Sequence, residues 1–431
     1  MVMNLPKHLS VRDGHLWIGE CDAVHLAFTY GTPLYVTNED RIRENFQSYK
    51  KSLTSRYPNI RILYAAKANG NPAILKILAE EGAGADVFSS GELEIALQAG
   101  MNPELLLFNG SSKTEADHRL AVRKGVRVSL DSVDELLQLD RIASDEGKVI
   151  EVSFRVNPAI DAPTHPKIAT GLATSKFGIP ATDIAGAYSQ ALSCKNVIPV
   201  GIHCHIGSQI LAVEPFAKEA QVLMEVVAEL HQIGVKFKFV DLGGGLGVCY
   251  EHSKEPAPEI DAYADAIMPT IITTFTRLGI SPEIWIEPGR SMVCDSTILL
   301  TRVNSVKKAH KTFVNVDAGF NTLIRPAMYD SYHEILVADK ADAKEEGTFT
   351  ITGPICETGD ILAHDRQLPD VQSGDLIALL DTGAYGYAMA SQYNGRGRCA
   401  EVLVKGDVSA LMRKAETLSD LLSTVVTPPW L

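Results

Sequence analysis

Short apolar runs alternate with longer amphipathic stretches along most of the chain. The runs are RILYAAK (61–67), ADVF (85–88), LLLFN (105–109), VRVSL (126–130), EVSFRVN (151–157), PVGIHCHIG (199–207), FKFVDLGGG (237–245) and EIWIEPG (283–289). Between them lie helical patterns such as NPAILKILAEEG, SGELEIALQAG, SVDELLQLDRIASDEG and EPFAKEAQVLMEVVAELHQIG. Strand and helix in turn predict parallel βαβ units. Eight such units over about 250 residues predict a (β/α)8 barrel, with a doubly wound open sheet as the alternative. Asn38 is placed to cap a helix through EDRIRENFQSYKKSL, with Ile42, Phe46 and Tyr49 on one face.

The two ends of the chain follow another pattern. LSVRDGHLWIG carries an Asp13-Gly14 turn and TPLYV is β-branched and aromatic, so the first 35 residues read as short strands. Beyond residue 300, STILLTRVNSVKK, KTFVNVDAG, GTFTITGPI, GDLIALLDTG and CAEVLVKG read as strands without long helices between them. The expected organisation is therefore N-terminal strands (1–35) that join a C-terminal, mostly antiparallel β domain (301–431), with the barrel at 36–300.

Composition narrows the functional classes. With 45% hydrophobic and 22% charged residues, the chain of 431 residues is globular rather than disordered. Forty Lys and Arg against 53 acids give a net charge of −13, which lacks the basic footprint of a nucleic-acid binder and suits anionic membranes poorly. Seven cysteines, at 21, 194, 204, 249, 294, 356 and 399, form no C-x-x-C pair. That argues for a reducing compartment and against a disulfide framework or structural zinc. No secretory pattern opens MVMNLPKHLSVRDGH and no run reaches the roughly 18 apolar residues of a membrane span, so a soluble, cytoplasmic protein is expected.

Barrel chemistry collects where the strands end. These ends carry Lys67, Asp86, Asn109, Arg155, His203, His205, Gly243-Gly244-Gly245 and Glu287-Pro288-Gly289-Arg290. Loops after the seventh and eighth strands commonly hold a phosphate, and consecutive glycines let backbone N–H groups approach an anion. The alternative is a glycine turn for close packing. A lysine in a barrel mouth can form a Schiff base, as Lys67 could, unless it only extends along the surface. Lysine, phosphate cup and a partner for a pyridine nitrogen are what pyridoxal phosphate needs. Glu287 is a candidate for that partner. A carboxylate there keeps the ring nitrogen protonated and suits decarboxylation better than racemisation, although E-P-G also reads as a capped turn. His203 and His205 share one strand face. A metal pair would need further ligands, and no H-E-x-x-H is present, so no metal site is expected. Ring stacking suits one imidazole, and a packed core position suits His203.

Taken in order, YAAKANGNPAILKIL, GAGADVFSSGELEIAL, TGLATSKFGI, GIHCHIGSQI, VDLGGGLG, IEPGRSMV, RPAMYDSYHEI, GPICETGDIL and DTGAYGYAMASQYNGR resemble the fold-type III pyridoxal-phosphate decarboxylases, in their diaminopimelate decarboxylase branch. The resemblance covers almost the whole chain. It implies that Lys67 is the Schiff-base lysine oriented by Asp86, that His205 stacks on the cofactor, and that Glu287 meets the pyridine nitrogen. It implies a phosphate cup from Ser208, Gly243, Gly244, Gly245, Gly289 and Arg290, with Tyr385 also reaching the phosphate and Arg155 positioning the mouth. Arg290, Arg325 and Tyr329 match positions that hold substrate carboxylates. Glu357 matches an acid on one substrate amino group, Tyr385 also lines the substrate, and Cys356 is the candidate proton donor.

The implied activity is decarboxylation of meso-diaminopimelate to L-lysine and CO2, the last step of lysine biosynthesis. In this family CETGD reaches the neighbouring subunit's site, which implies an isologous homodimer with composite sites. A distal amino-acid group calls for cations that bind carboxylate in bidentate fashion, whereas ornithine would call for acids, so Arg325 separates those readings. Decarboxylation of carboxynorspermidine or of a carrier-bound glutamyl group, and a catalytically dead regulatory homologue, are the alternatives. Two departures from the family pattern, Thr358 in place of Ser and VCY after the glycines, leave the chemistry intact.

Overall fold

The computed structural model describes every residue except 1–4, 162–163, 166–167, 169 and 255, so the first four residues of the expected N-terminal region lie outside the described residues. The chain divides into two compact units, one of residues 43–248 and 256–292, the other of 1–42, 249–255 and 293–431.

The first unit is a closed parallel barrel. Its strands are β1 (Ile60–Ala65), β2 (Gly84–Val87), β3 (Leu106–Phe108), β4 (Arg127–Leu130), β5 (Ile150–Asn157), β6 (Val197–Cys204), β7 (Phe239–Asp241) and β8 (Glu283–Ile286). Each pairs in parallel with its neighbour, β4 joins β5, and β8 returns to β1 with Ile284 opposite Ile60 and Ile286 opposite Ile62. Closure on the eighth strand settles the choice between barrel and open sheet. The eight apolar runs correspond to these eight strands. Inward-facing Leu63, Leu107, Val200, Phe239 and Trp285 pack together, with the Phe239 and Trp285 rings stacked 3.8 Å apart. Gly201 is required there, because a Cβ would lie 2.2 Å from the Phe239 ring.

Helix starts follow ordinary capping chemistry. The Asn71 side chain accepts from Ala73 N–H ahead of Pro72–Glu81, and Ser89 and Ser132 accept from the N–H groups of Glu92 and Glu135. These bonds occupy N–H groups that the first helical turn leaves without partners. The helix expected after Asn38 runs from Glu39 to Thr54. Asn38 Oδ1 accepts from Arg41 N–H, and Ile42, Phe46 and Tyr49 are buried.

The second unit is built on a sheet that mixes both ends of the chain. Thr297–Lys308 pairs antiparallel with Leu34–Asn38 on one side, and Ala400–Lys405 lies parallel to Leu34–Asn38. Thr312–Val316 and Gly347–Thr352 form a second parallel pair, and the other pairings in this unit are antiparallel. The N-terminal hairpin Leu9–Arg12/His15–Ile18 turns at Asp13 and Gly14, both with positive φ. Leu16 and Ile18 pack with Leu34, Ile298, Leu376 and Val402 in one core.

Sequence patterning missed several features. Ala23–Tyr30 is a helix, capped by Asp22, where strands were expected. The strand Ile361–Leu368 was missed because its middle, HDRQ, is polar and mostly exposed. Thr297–Leu300 and Leu34–Asn38 pair with each other, and the chain passes between the two units near residues 42 and 293. Residues 249–255 also leave the barrel sequence to join the β unit.

Candidate active site

The closed barrel draws the ends of its strands into one hydrogen-bonded chain. Ala65 of β1 lies opposite Asp86 of β2, which places Lys67, two residues on, beside that carboxylate. Lys67 Nζ donates to Asp86 Oδ2 at 2.5 Å and lies 4.1 Å from the centre of the Phe88 ring. Asn109, at the end of β3, donates through Nδ2 both to Asp86 Oδ1 at 2.7 Å and to Glu287 Oε1 at 2.6 Å. His203 Nε2 of β6 is 3.4 Å from Glu287 Oε2, and its Nδ1 is 3.1 Å from Ser129 Oγ of β4. Asp86, Asn109, His203, Asp241 and Glu287 are all buried.

The electrostatics of this chain are asymmetric. Burial alone would raise the Glu287 carboxyl, but His203, Lys67 and His205 pull it well below the usual range and keep it anionic. Burial and the Glu287 charge push Asp241 well up. Asp86 is pushed up by burial and by Glu287, with the Lys67 ammonium opposing. Burial, Arg155 and Lys67 drive His205 well below its ordinary value, so its ring is neutral. Gly244 N–H donates to His205 Nδ1 at 3.2 Å, which leaves Nε2 as the protonated nitrogen.

The glycine loop is built for the close packing that was one of the two purposes considered for it. Cβ atoms at Gly243, Gly244 and Gly245 would lie 2.5 Å or less from the carbonyl oxygens of Cys204, Glu287 and Gly207, so close backbone approach demands all three. Two of the three N–H groups already have partners, Gly243 to Asp241 Oδ1 and Gly244 to His205. Any anion held by this loop therefore depends chiefly on the remaining N–H and on neighbouring side chains. Arg290 Nη2 donates to Ser208 Oγ at 3.1 Å. Gly289 N-terminally flanks the short helix Arg290–Val293, and its carbonyl accepts from Met292 N–H at 3.2 Å. Arg155 Nη2 donates to the His205 carbonyl at 3.3 Å, and its guanidinium lies 4.5 Å from the Phe177 ring centre.

The remaining residues singled out from the sequence belong to the β unit. Arg325 is buried, donates to Tyr250 Oη at 2.5 Å and to Ser331 Oγ at 3.1 Å, and opens the short helix that ends at Tyr329. Tyr385 has a positive φ of 58° and is half-buried. Cys356 and Glu357 are exposed. Glu357 Oε1 accepts from Tyr393 Oη at 2.7 Å, while Asn394 bonds both the Cys356 N–H and its Sγ at 3.2 Å. Glu357 and Cys356 push the Tyr393 phenol up to about 12.

Barrel closure thus unites Lys67, Asp86, His205 and Glu287 with the glycine loop. It also brings in Asn109, Ser129, His203 and Asp241, to which sequence reasoning assigned no role in the site. The strand-end rule that picked out Lys67 and Glu287 also named Asn109, without a role, and Asp241 obeys the same rule and could have been found by it.

A parallel barrel with an amine, a buried anionic carboxylate and a glycine loop at its strand ends defines a class, the pyridoxal-dependent decarboxylases. Residues 39–294 match the family model described as pyridoxal-dependent decarboxylase, pyridoxal binding domain. Beyond that class, the chain belongs to the diaminopimelate decarboxylase family. It is 50% identical over 422 residues to the diaminopimelate decarboxylase of Archaeoglobus fulgidus, covering 98% of this chain and 99% of the relative. It is 44% identical to that of Methanothermobacter thermautotrophicus, covering 95% of each chain. The crystal structure of diaminopimelate decarboxylase from M. jannaschii in co-complex with L-lysine superposes with a TM-score of 0.93 at 37% identity, over 99% of both chains. The donor set fits pyridoxal phosphate: a lysine amine, a carboxylate held anionic, a neutral imidazole, and the Arg290–Ser208 pair beside the glycine loop.

Proposed function

We propose that the protein decarboxylates meso-diaminopimelate to L-lysine and CO2 with pyridoxal phosphate, as a cytoplasmic homodimer with composite sites. The observation that carries this reading is the buried chain from Lys67 through Asp86 and Asn109 to an anionic Glu287. When bound, the cofactor supplies an aldehyde for the substrate amine and a conjugated ring that accepts the electron pair left as CO2 departs.

The chain's own residues prepare that chemistry. Lys67 Nζ is the amine, and Asp86 Oδ2 orients it and can hold its proton. Glu287 gives the ring nitrogen a full negative charge in a buried setting, where such an interaction is strong. His205 offers a flat, neutral face and Arg155 braces its backbone. Arg290 and Ser208, with the open end of the glycine loop and Tyr385, hold the phosphate.

For the substrate, the planar forks of Arg325 and Arg290 match carboxylates, with Tyr329 and Tyr385 completing the shape. Arg325 is already oriented by Tyr250 and Ser331. Glu357 pairs with an ammonium, and the Cys356 thiol returns a proton to the carbon that has lost CO2. The exposure of Cys356 and Glu357 supports service to a partner's site. It also explains why they need Tyr393 and Asn394 to hold them.

Two assays test the proposal. Purified protein with added pyridoxal phosphate should turn over meso-diaminopimelate at least about a hundredfold better than ornithine, two orders being the scale a buried charged contact supplies. Equal or better turnover of ornithine or carboxynorspermidine overturns the substrate reading. Mixing inactive Lys67→Ala and Cys356→Ala variants should restore up to about a quarter of wild-type activity if sites are composite, because half of randomly mixed dimers carry one intact site of two. No recovery overturns the composite arrangement.

A further inference from the structure

The buried pair of His203 and Ser129 lies behind Glu287. As a packed core histidine, His203 would need satisfied ring nitrogens and nothing more. Its actual neighbours are more specific. His203 Nδ1 is 3.1 Å from Ser129 Oγ, and Nε2 is 3.4 Å from Glu287 Oε2. An imidazole nitrogen facing a carboxylate must carry a proton. The Ser129 hydroxyl can donate to Nδ1 and so favour the tautomer with its proton on Nε2. Ser129 is itself fixed, since its carbonyl accepts from Lys113 Nζ at 2.8 Å, and Lys113 is ion-paired to buried Glu135 at 2.8 Å.

We propose that His203, set by Ser129, is a positioning residue that fixes the Glu287 carboxylate for the ring nitrogen of the cofactor. The proposal rests on the reading of Glu287 as that nitrogen's partner. Asn109 holds Oε1 by a hydrogen bond and His203 Nε2 faces Oε2 at 3.4 Å, so rotation of the carboxylate would break the first contact and open the second. His203, Asp241 and Glu287 also offer ligand atoms within 4.8 Å of one another, a spacing a metal ion could use. Two donors among them argue against that use: Asn109 Nδ2 on Glu287, and Gly243 N–H on Asp241 at 2.8 Å. These N–H donors occupy Glu287 Oε1 and Asp241 Oδ1, lone pairs for which a cation would have to compete.

The test compares binding of pyridoxal phosphate with binding of deazapyridoxal phosphate, in which carbon replaces the ring nitrogen. Cofactor-depleted full-length protein is titrated with each by fluorescence quenching. Wild-type protein should prefer pyridoxal phosphate. His203→Leu should shrink that preference about tenfold, the equivalent of one pKa unit at the carboxylate. His203→Gln, which keeps a donor, should stay within about threefold of wild type on the same scale. Equal weakening of both ligands by His203→Leu would mark a packing role and overturn the proposal. Should His203→Leu fail to fold, nitrogen NMR of wild-type holoprotein decides: a proton on His203 Nε2 supports the proposal, and a bare Nε2 overturns it. Glu287→Gln separates the underlying reading. If that variant keeps the full wild-type preference, Glu287 does not meet the ring nitrogen and the proposal falls with it. If only His203→Leu keeps it, the reading of Glu287 stands and the role of His203 is lost.

Discussion

In the barrel unit, Lys67, Asp86, Asn109 and Glu287 form one hydrogen-bonded chain ending on a carboxylate that is 4% exposed, with His203 Nε2 3.4 Å from it. In the β unit, Cys356 and Glu357 lie at the surface, held by Tyr393 and Asn394. The first arrangement is preorganised by burial: each charge is fixed by its neighbours, and removing one partner leaves another buried without compensation. The second is held loosely in high dielectric, where hydrogen bonds to water compete. A barrel that must stabilise charge in one place calls for the first, and residues that receive a substrate or a proton can use the second. Arg325 stands between these extremes, since it is buried like the barrel residues yet belongs to the β unit.

This contrast can be broken by substitution, with the largest effect expected in the barrel. Lys67→Ala should lower turnover by about 10⁴-fold, the upper range for a positioned proton-transferring group. Steady-state lysine release measures it, and activity near wild type would remove Lys67 from the chemistry. Cys356→Ala should lower kcat by about 10²-fold. Because Cys356 is exposed, the melting temperature and the cofactor's absorbance should not change. A large loss of stability instead would show that the β-unit cluster is structural.

Arg325→Lys should raise KM for diaminopimelate about tenfold with little change in kcat, because Lys keeps the charge and loses the fork. A fall in kcat alone would move Arg325 from substrate recognition to the chemical step.

The smallest effect concerns stability. A hydrogen bond to Asp381 raises His252 above its ordinary value, against burial. This contribution is fully present below the unfolded value of about 6.5 and fades as pH rises through the raised folded value. Urea unfolding of wild type and His252→Gln should therefore differ by about 1 kcal/mol at pH 6 and converge at higher pH. A difference that grows with pH contradicts the pairing.

The barrel was legible in the sequence because a parallel sheet covered on both faces needs apolar runs, and those runs recur at βαβ spacing. Lys67, Glu287 and the glycines stood out because they end such runs. The network around them was not legible. Asn109 and Glu287 are 178 residues apart, and Ser129 and His203 are 74 apart, so only closure of the barrel shows that they meet. A polar residue at a strand end has the same local signature whether it binds a ligand or supports one that does. Residues 249–255 joined the β unit without an apolar pattern to announce it. Tyr250, which orients Arg325, could therefore not be assigned from its neighbours in sequence.

The central claim is that Lys67, within the buried barrel chain, is the amine that engages the cofactor. Reducing the holoprotein with borohydride and mapping the modified peptide by mass spectrometry tests it most directly. The account predicts the cofactor's mass on the peptide containing Lys67 and on no other. Modification of the buried barrel lysine Lys113 instead, with Lys67 left free, would contradict it.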